Sequence, residues 1–175
     1  RGCMGESADF MASETDSSQS SVLWDYALER YARDGVAECC VALQDDAGAN
    51  VLLIIVAAYL AERGIPLTGP RVQVLVSGAN ALQASLIEPL RALRRANRPL
   101  DGEACERQRD TYQSLKQAEL AAERWQLSQL AELVLPWNPE QVPTRQLLQC
   151  NIRAVAGAAE KSMLDRLVRA LRTDR

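Results

Sequence analysis

From Ser21 to Leu171 the apolar residues recur every three or four positions, a spacing that predicts helices separated by short turns marked with Gly and Pro. Ser21 is placed to cap a helix over Val22–Ala32, on which Leu23, Tyr26, Ala27 and Tyr31 recur at helical spacing. Gly35 ends that helix, and Val36–Asp45 follows with Val36, Cys39, Cys40 and Leu43 turned inward. Asp45-Asp46-Ala47-Gly48 is a turn. Ala49–Arg63 is apolar almost all round, which predicts the central element of the core, and Gly64 closes it.

Farther along, Arg71–Ser77 alternates like a strand, but a lone strand has nothing to pair with, so helix or irregular coil is expected there. Asn80–Asn97 is helical again, with Leu82, Leu86, Leu90 and Leu93 on one stripe and a kink expected at Pro89. After a turn at Arg98–Gly102, a long helix is predicted from Glu103 to about Leu135. Its seam holds Tyr112, Leu115, Ala118, Ala122 and Trp125, extended by Leu120, Leu127, Leu130 and Val134. Pro136 and Pro139 break the chain, and one last helix is expected from Pro143-Thr144 to Leu171. Residues 1–21 are Ser-rich, acidic and without apolar period, so they are expected to form a disordered tail before a single domain over 22–172. The expected fold is all-α, one compact bundle of about six helices with a long helix after residue 102.

Composition narrows the chemistry. The 175 residues contain no histidine, which removes Ser-His and Cys-His nucleophile pairs, histidine-ligated metals and an imidazole pH switch. No Gly-rich phosphate loop, S-x-x-K or G-x-S-x-G is present, so no catalytic residue, cofactor or metal ligand is assigned. The five cysteines are odd in number and form no C-x-x-C, and the adjacent pair Cys39-Cys40 is poorly placed to bridge. They read as buried thiols of a reducing cytoplasm. The longest apolar stretch, Val51–Leu60, is about half the length that crosses a bilayer, so no membrane contact is expected.

Charge is segregated although the net value is only -3. Residues 1–64 balance to -7, whereas residues 65–100 balance to +4. Most of that positive charge is Arg91, Arg94, Arg95 and Arg98, placed three to four apart on a helix face opposite Leu86, Leu90 and Leu93. Such a face can fork onto phosphates or onto a partner's carboxylates. It can equally be solvated, or paired with acidic helices of the same domain. A second cluster, Trp24, Tyr26, Tyr31, Gln44 and Asp45, lies around the first two helices and can line a ligand pocket, although helical packing alone also accounts for its aromatics.

Several segments also resemble an uncharacterised proteobacterial family of helical proteins. The first block is Leu23-Trp24, Tyr26-Ala27, Tyr31, Gly35-Val36 and Leu43-Gln44-Asp45 with Gly48 and the apolar run that follows. The second is Pro89-Leu90-Arg91-Ala92-Leu93-Arg94-Arg95, and the third runs from Tyr112 to Glu123. The chain departs from the pattern at Asn50-Val51-Leu52, where such sequences carry Asp-Val-Asn. What the resemblance implies is a small helical cytoplasmic protein of unknown function, with no catalytic residue to transfer. Together these features point first to a non-catalytic interaction or adaptor module that offers the arginine face to a protein partner, a second copy included. They point next to a binder of nucleic acid or a phosphate ligand through the same arginines, for which supporting aromatics are missing from that segment. Last comes a small-ligand protein or enzyme with the Trp24/Tyr31 pocket.

Overall fold

Val51–Glu62 (α3) is buried at every position but Tyr59 and Glu62, so this apolar helix lies in the middle of the molecule as its composition predicts. Asn50 caps it, its side-chain oxygen accepting from the backbone N–H of Leu52 at 3.0 Å and of Leu53 at 3.4 Å. The computed structural model describes residues 13–99, 105–140 and 144–172, and all regular structure among them is helical. Before α3 come Ser13–Tyr31 (α1) and Val36–Ala47 (α2). After it come Gly69–Leu82 (α4), a π turn over Gln83–Ile87, Glu88–Ala96 (α5), Glu106–Val134 (α6), Thr144–Val155 (α7) and Lys161–Arg172 (α8). Helix α3 packs most extensively on α7, while α1, α4 and α5 all lie on the long α6 and α2 rests on α8.

The all-α bundle and the long helix after residue 102 agree with the sequence, and Arg71–Ser77 is helical. Other boundaries differ. Helix α1 begins at Ser13, inside the segment expected to be tail, and residues 1–12 lie outside the described residues. The single last helix is two, because the chain turns at Ala156–Glu160 with Gly157 in the left-handed region at φ 60°. This makes α7 and α8 a hairpin and raises the helix count above the six expected. On α6, Trp125 is 54% exposed rather than on the seam. The buried face runs through Glu119, Ala122, Gln126, Leu127, Leu130, Ala131 and Val134, so two polar residues sit in it.

The segment expected as one kinked helix is where the largest difference arises. Pro89 has no N–H for the preceding turn and its ring crowds the carbonyl four residues back. The chain widens there into the π turn, closed by the N–H of Glu88 on the carbonyl of Gln83. A π turn carries one extra residue, so every later side chain is rotated by about one residue's worth of helix, roughly 100°. The inward face therefore passes from Leu75, Ala79 and Leu82 to Ile87, with Leu86 and Leu90 half-buried against the core beside it, and then to Arg91 and Arg94 rather than Leu93. Leu93, expected inside, is 52% exposed.

Buried Asn151 on α7 fastens the loop after α3. Its oxygen accepts from the Leu67 N–H at 2.9 Å, and its nitrogen donates to the carbonyls of Ile65 at 2.9 Å and Ala57 at 3.3 Å. No apolar residue can hold those three backbone groups once water is excluded. Asn151→Ala is expected to lower unfolding free energy by about 3 kcal/mol in urea titrations, and Asn151→Asp to do no better, since a carboxylate cannot donate.

Candidate functional site

Helix α5 lies along α6, and the π turn aims Arg91 and Arg94 at two carboxylates one helical turn apart on α6. Arg91 donates through Nε to Glu119 and through Nη2 to Glu123, each at 2.9 Å. Arg94 donates through Nε to the other oxygen of Glu119. Gln44 of α2 closes the ring: with its amide oxygen facing the guanidinium, it accepts from Arg91 Nε at 2.8 Å and Nη1 at 2.9 Å. The Glu119 and Arg91 side chains are only 9% and 14% exposed. Farther out on the same helix, Arg95 pairs with Asp45, and both side chains stay about half exposed. Arg98 is exposed and has no ion pair among the described residues.

The two carboxylates respond in opposite directions. Burial disfavours charge on Glu119, but hydrogen bonds from Arg94 and Arg91 outweigh it and hold the carboxyl below its ordinary range. Glu123 is pushed up, first by burial, with the negative charge of Glu119 adding to it and Arg91 opposing. Beside them, burial raises the Tyr31 hydroxyl above its ordinary range, helped by neighbouring Cys40 and Glu123. The Cys40 thiol is pushed up to about 12 by burial, against a hydrogen bond from Tyr31. A thiol in that state is a poor nucleophile, so Cys40 behaves as a packing residue.

Next to this network a cleft of about 200 Å³ opens between α1, α3 and α6. Its walls are largely apolar: Trp24, Ala27 and Leu28 from α1, Ile55 from α3, and Leu120 and Leu127 from α6. Its polar lining is Tyr31, Gln44, Asn50, Arg91 and Glu123, with Gln44 and Glu123 both bonded to Arg91. Leu28 and Leu120 also reach the surface, 51% and 42% exposed. On the other side of Gln44, Arg91 and Glu123 lies a more open groove of about 520 Å³, lined also by Asp45, Arg94, Arg95, Arg98 and Tyr112. Gln44, Arg91 and Glu123 thus form a partition shared by an apolar slot and a charged groove.

Of the residues expected around a pocket, Trp24, Tyr31 and Gln44 come together in the slot, and Asp45 lies in the adjoining groove. Tyr26 does not join them. On α1, Trp24, Ala27, Leu28 and Tyr31 follow helical spacing along one side, which turns Tyr26 and Arg30 to another. There the Tyr26 hydroxyl donates to Glu62 at 2.9 Å, Arg30 donates to the same carboxylate at 2.6 Å, and the Tyr26 ring meets Tyr59 edge-on. Of the alternatives open for the arginine face, Arg91 and Arg94 follow the pairing one: the phase shift at the π turn turns them onto acidic residues of the same domain. Glu119 and Glu123 of α6 are the groups that neutralise them. Leu28 completes the slot without having been singled out, and Asn50 and Leu120 had been noted only as a departure from the family pattern and as apolar surface of the long helix; the i, i+4 repeat of Glu119 and Glu123 was the signal for the partners of Arg91 and Arg94. No three His, Cys, Asp or Glu side chains among the described residues converge as a metal site. None of the described helices is long and apolar enough to cross a membrane.

Residues 22–130, which contain α2 to α5 with most of α1 and α6, match a family model described as "Protein of unknown function (DUF2390)". No curated protein and no solved structure matches the chain.

Glu119→Gln leaves two largely buried guanidinium groups with only Glu123 and is expected to cost about 3 kcal/mol of stability in denaturant. The pH dependence follows from the same pair. A carboxyl whose folded pKa is lowered binds fewer protons folded than unfolded, so the stability Glu119 contributes is present above the ordinary glutamate value of 4.5 and lost as pH falls below it. Glu123, raised, acts with the opposite sign: it weakens the fold as pH rises through the interval above 4.5. Acid titrations of stability should therefore be shallower than wild type below 4.5 for Glu119→Gln, and Glu123→Gln should lose the opposing slope above it. Alkylation of native protein followed by peptide mapping should label exposed Cys105 and Cys150 well before buried Cys39 and Cys40.

Proposed function

The chain belongs to the DUF2390 family of proteins of unknown function, and we propose that it works as a non-catalytic binding module that docks a protein partner at the cleft between α1, α3 and α6 and the charged groove beside it. One observation carries this reading: an apolar slot with exposed leucines on its rim opens directly beside a groove lined by arginines, with Arg91 in both walls. Protein interfaces combine these two elements, an apolar anchor point that loses its water and a charged rim that orients the partner.

Catalysis finds little support in the same residues. Glu119 is held charged between two arginines, and the Cys40 thiol is pushed up to about 12. Binding of nucleic acid through the arginine face loses ground as well, because Arg91, Arg94 and Arg95 already have carboxylate partners in the fold and do not project a strong positive field. A cytoplasmic setting is supported by the described cysteines, Cys39, Cys40, Cys105 and Cys150, which are all unbridged.

The test is retention of partners from a bacterial cytosolic extract that also contains untagged chain, with and without nuclease, by wild type and by Leu28→Asp/Leu120→Asp. A protein held by wild type in both conditions and lost by the double variant is the expected result. Recovery of the untagged chain alone makes the partner a second copy. Retention that vanishes with nuclease, or no slot-dependent protein together with thermal stabilisation by a metabolite, overturns the reading.

A further inference from the structure

Resting on that reading, we infer that the cleft selects an acidic peptide segment carrying one bulky apolar side chain, and that Asp45 occupies the place of the segment's carboxylate until it docks. Size comes first. A slot of about 200 Å³ has room for a single ring or leucine-sized group, given that an apolar cavity of about 150 Å³ accommodates benzene. An amphipathic helix that buries three or four anchors needs a longer trough than this.

Charge decides the rest. Arg91 and Arg94 are committed to Glu119 and Glu123, all four side chains less than a quarter exposed and sharing several bonds, so they shape the partition and exchange less readily. The Arg95–Asp45 pair is different, with side chains 50% and 44% exposed. Pairs this wet contribute little, so replacing Asp45 by an incoming carboxylate costs the fold little. Arg98, one turn on, lines the same groove and has no ion pair among the described residues, so a second acidic residue of the segment meets it. Asp45 itself demonstrates that a carboxylate seats against Arg95.

Phosphate fits this place less well. Arg95 lies in the last turn of α5, where the unpaired carbonyls present the negative end of the helix, whereas phosphate groups favour helix N-termini. The Asp45, Glu119 and Glu123 carboxylates in the groove add repulsion toward a doubly charged group.

A displayed library of random heptapeptides, selected on wild type and counter-selected on Leu28→Asp/Leu120→Asp, tests the inference directly. The winners should carry one Phe, Trp, Leu or Met beside Asp or Glu. By isothermal titration calorimetry, replacing that anchor by Ala should weaken binding at least about thirtyfold, as loss of a hot-spot side chain does. Arg95→Glu/Arg98→Glu should weaken it comparably, whereas Asp45→Asn, a surface change that frees Arg95, should tighten it severalfold. Enrichment of basic or uncharged peptides, weaker binding by Asp45→Asn, or binding of only octanoate or adenosine monophosphate overturns the inference. The two levels separate cleanly. A partner that depends on Leu28 and Leu120 but ignores Asp45, Arg95 and Arg98 leaves the docking reading standing and removes this one. Failure to find any slot-dependent binder, in extract or library, removes both.

Discussion

Pro89 cannot donate to the turn before it, and the π turn over Gln83–Ile87 is how the chain accommodates it. That single extra residue sets the phase of everything on α5. It brings Arg91 and Arg94 onto α6, and α6 presents Glu119 at a position where an ionised carboxylate cannot remain without cations. The two features require each other. Without the phase shift, Leu90 and Leu93 would face Glu119 and leave it unpaired. Without Glu119, two guanidinium groups would be turned into a helix interface with only Glu123 for company. Gln44 then ties α2 into the same network through Arg91, so a backbone irregularity at one proline fixes the relative placement of three helices.

The centre of the bundle obeys a simpler rule. Helix α3 is apolar on every side, so it has to be wrapped, and α7 takes the largest share of its surface. The price of wrapping is that backbone groups at both ends of α3 leave water and need partners. Asn50 supplies them at the N-terminus and Asn151 at the loop beyond the C-terminus. Gln126, fully buried on α6, donates to the Ala79 carbonyl at 2.8 Å, which also accepts the N–H of Gln83 in the last turn of α4. Asn50 and Asn151 therefore serve the two ends of α3, and Gln126 fastens α6 to the last turn of α4.

This distribution explains how much was legible in the sequence. Periodicity identified the helical class, the buried α3 and the long helix after residue 102, because those depend on the number and spacing of apolar residues. It also grouped Trp24, Tyr31 and Gln44. It could not choose between solvated and paired roles for Arg91 and Arg94, and it misplaced Leu93, because a one-residue change of winding rotates a face while leaving the sequence pattern untouched. Tyr26 was grouped with Trp24 by proximity along the chain, although two residues on a helix point nearly opposite ways. The seam of α6 was drawn through Trp125 on the premise that large aromatics are inside. A long helix covered on several sides, however, buries what its neighbours require, and here that includes Glu119 and Gln126. The split of the last helix at Gly157 was visible only as a residue that permits φ of 60°, which many helices tolerate without turning.

The slot and the groove inherit their stiffness from these same contacts. Asn50 caps α3, lines the slot and donates to Gln83 at 3.3 Å in the π turn, so the slot's polar lining is anchored to the core helix and to the irregularity that orients α5. Arg91 is held by Glu119, Glu123 and Gln44 at once, which leaves it little freedom to follow a ligand. An apolar side chain entering the slot therefore meets walls that are already in place, and little ordering is left to oppose binding. The outer pair, Arg95 with Asp45, is wet and exchangeable. On the docking reading proposed above, a rigid apolar seat beside a soft charged rim would divide the work: the seat would set how long a partner stays, and the rim how readily it arrives and which charge it carries.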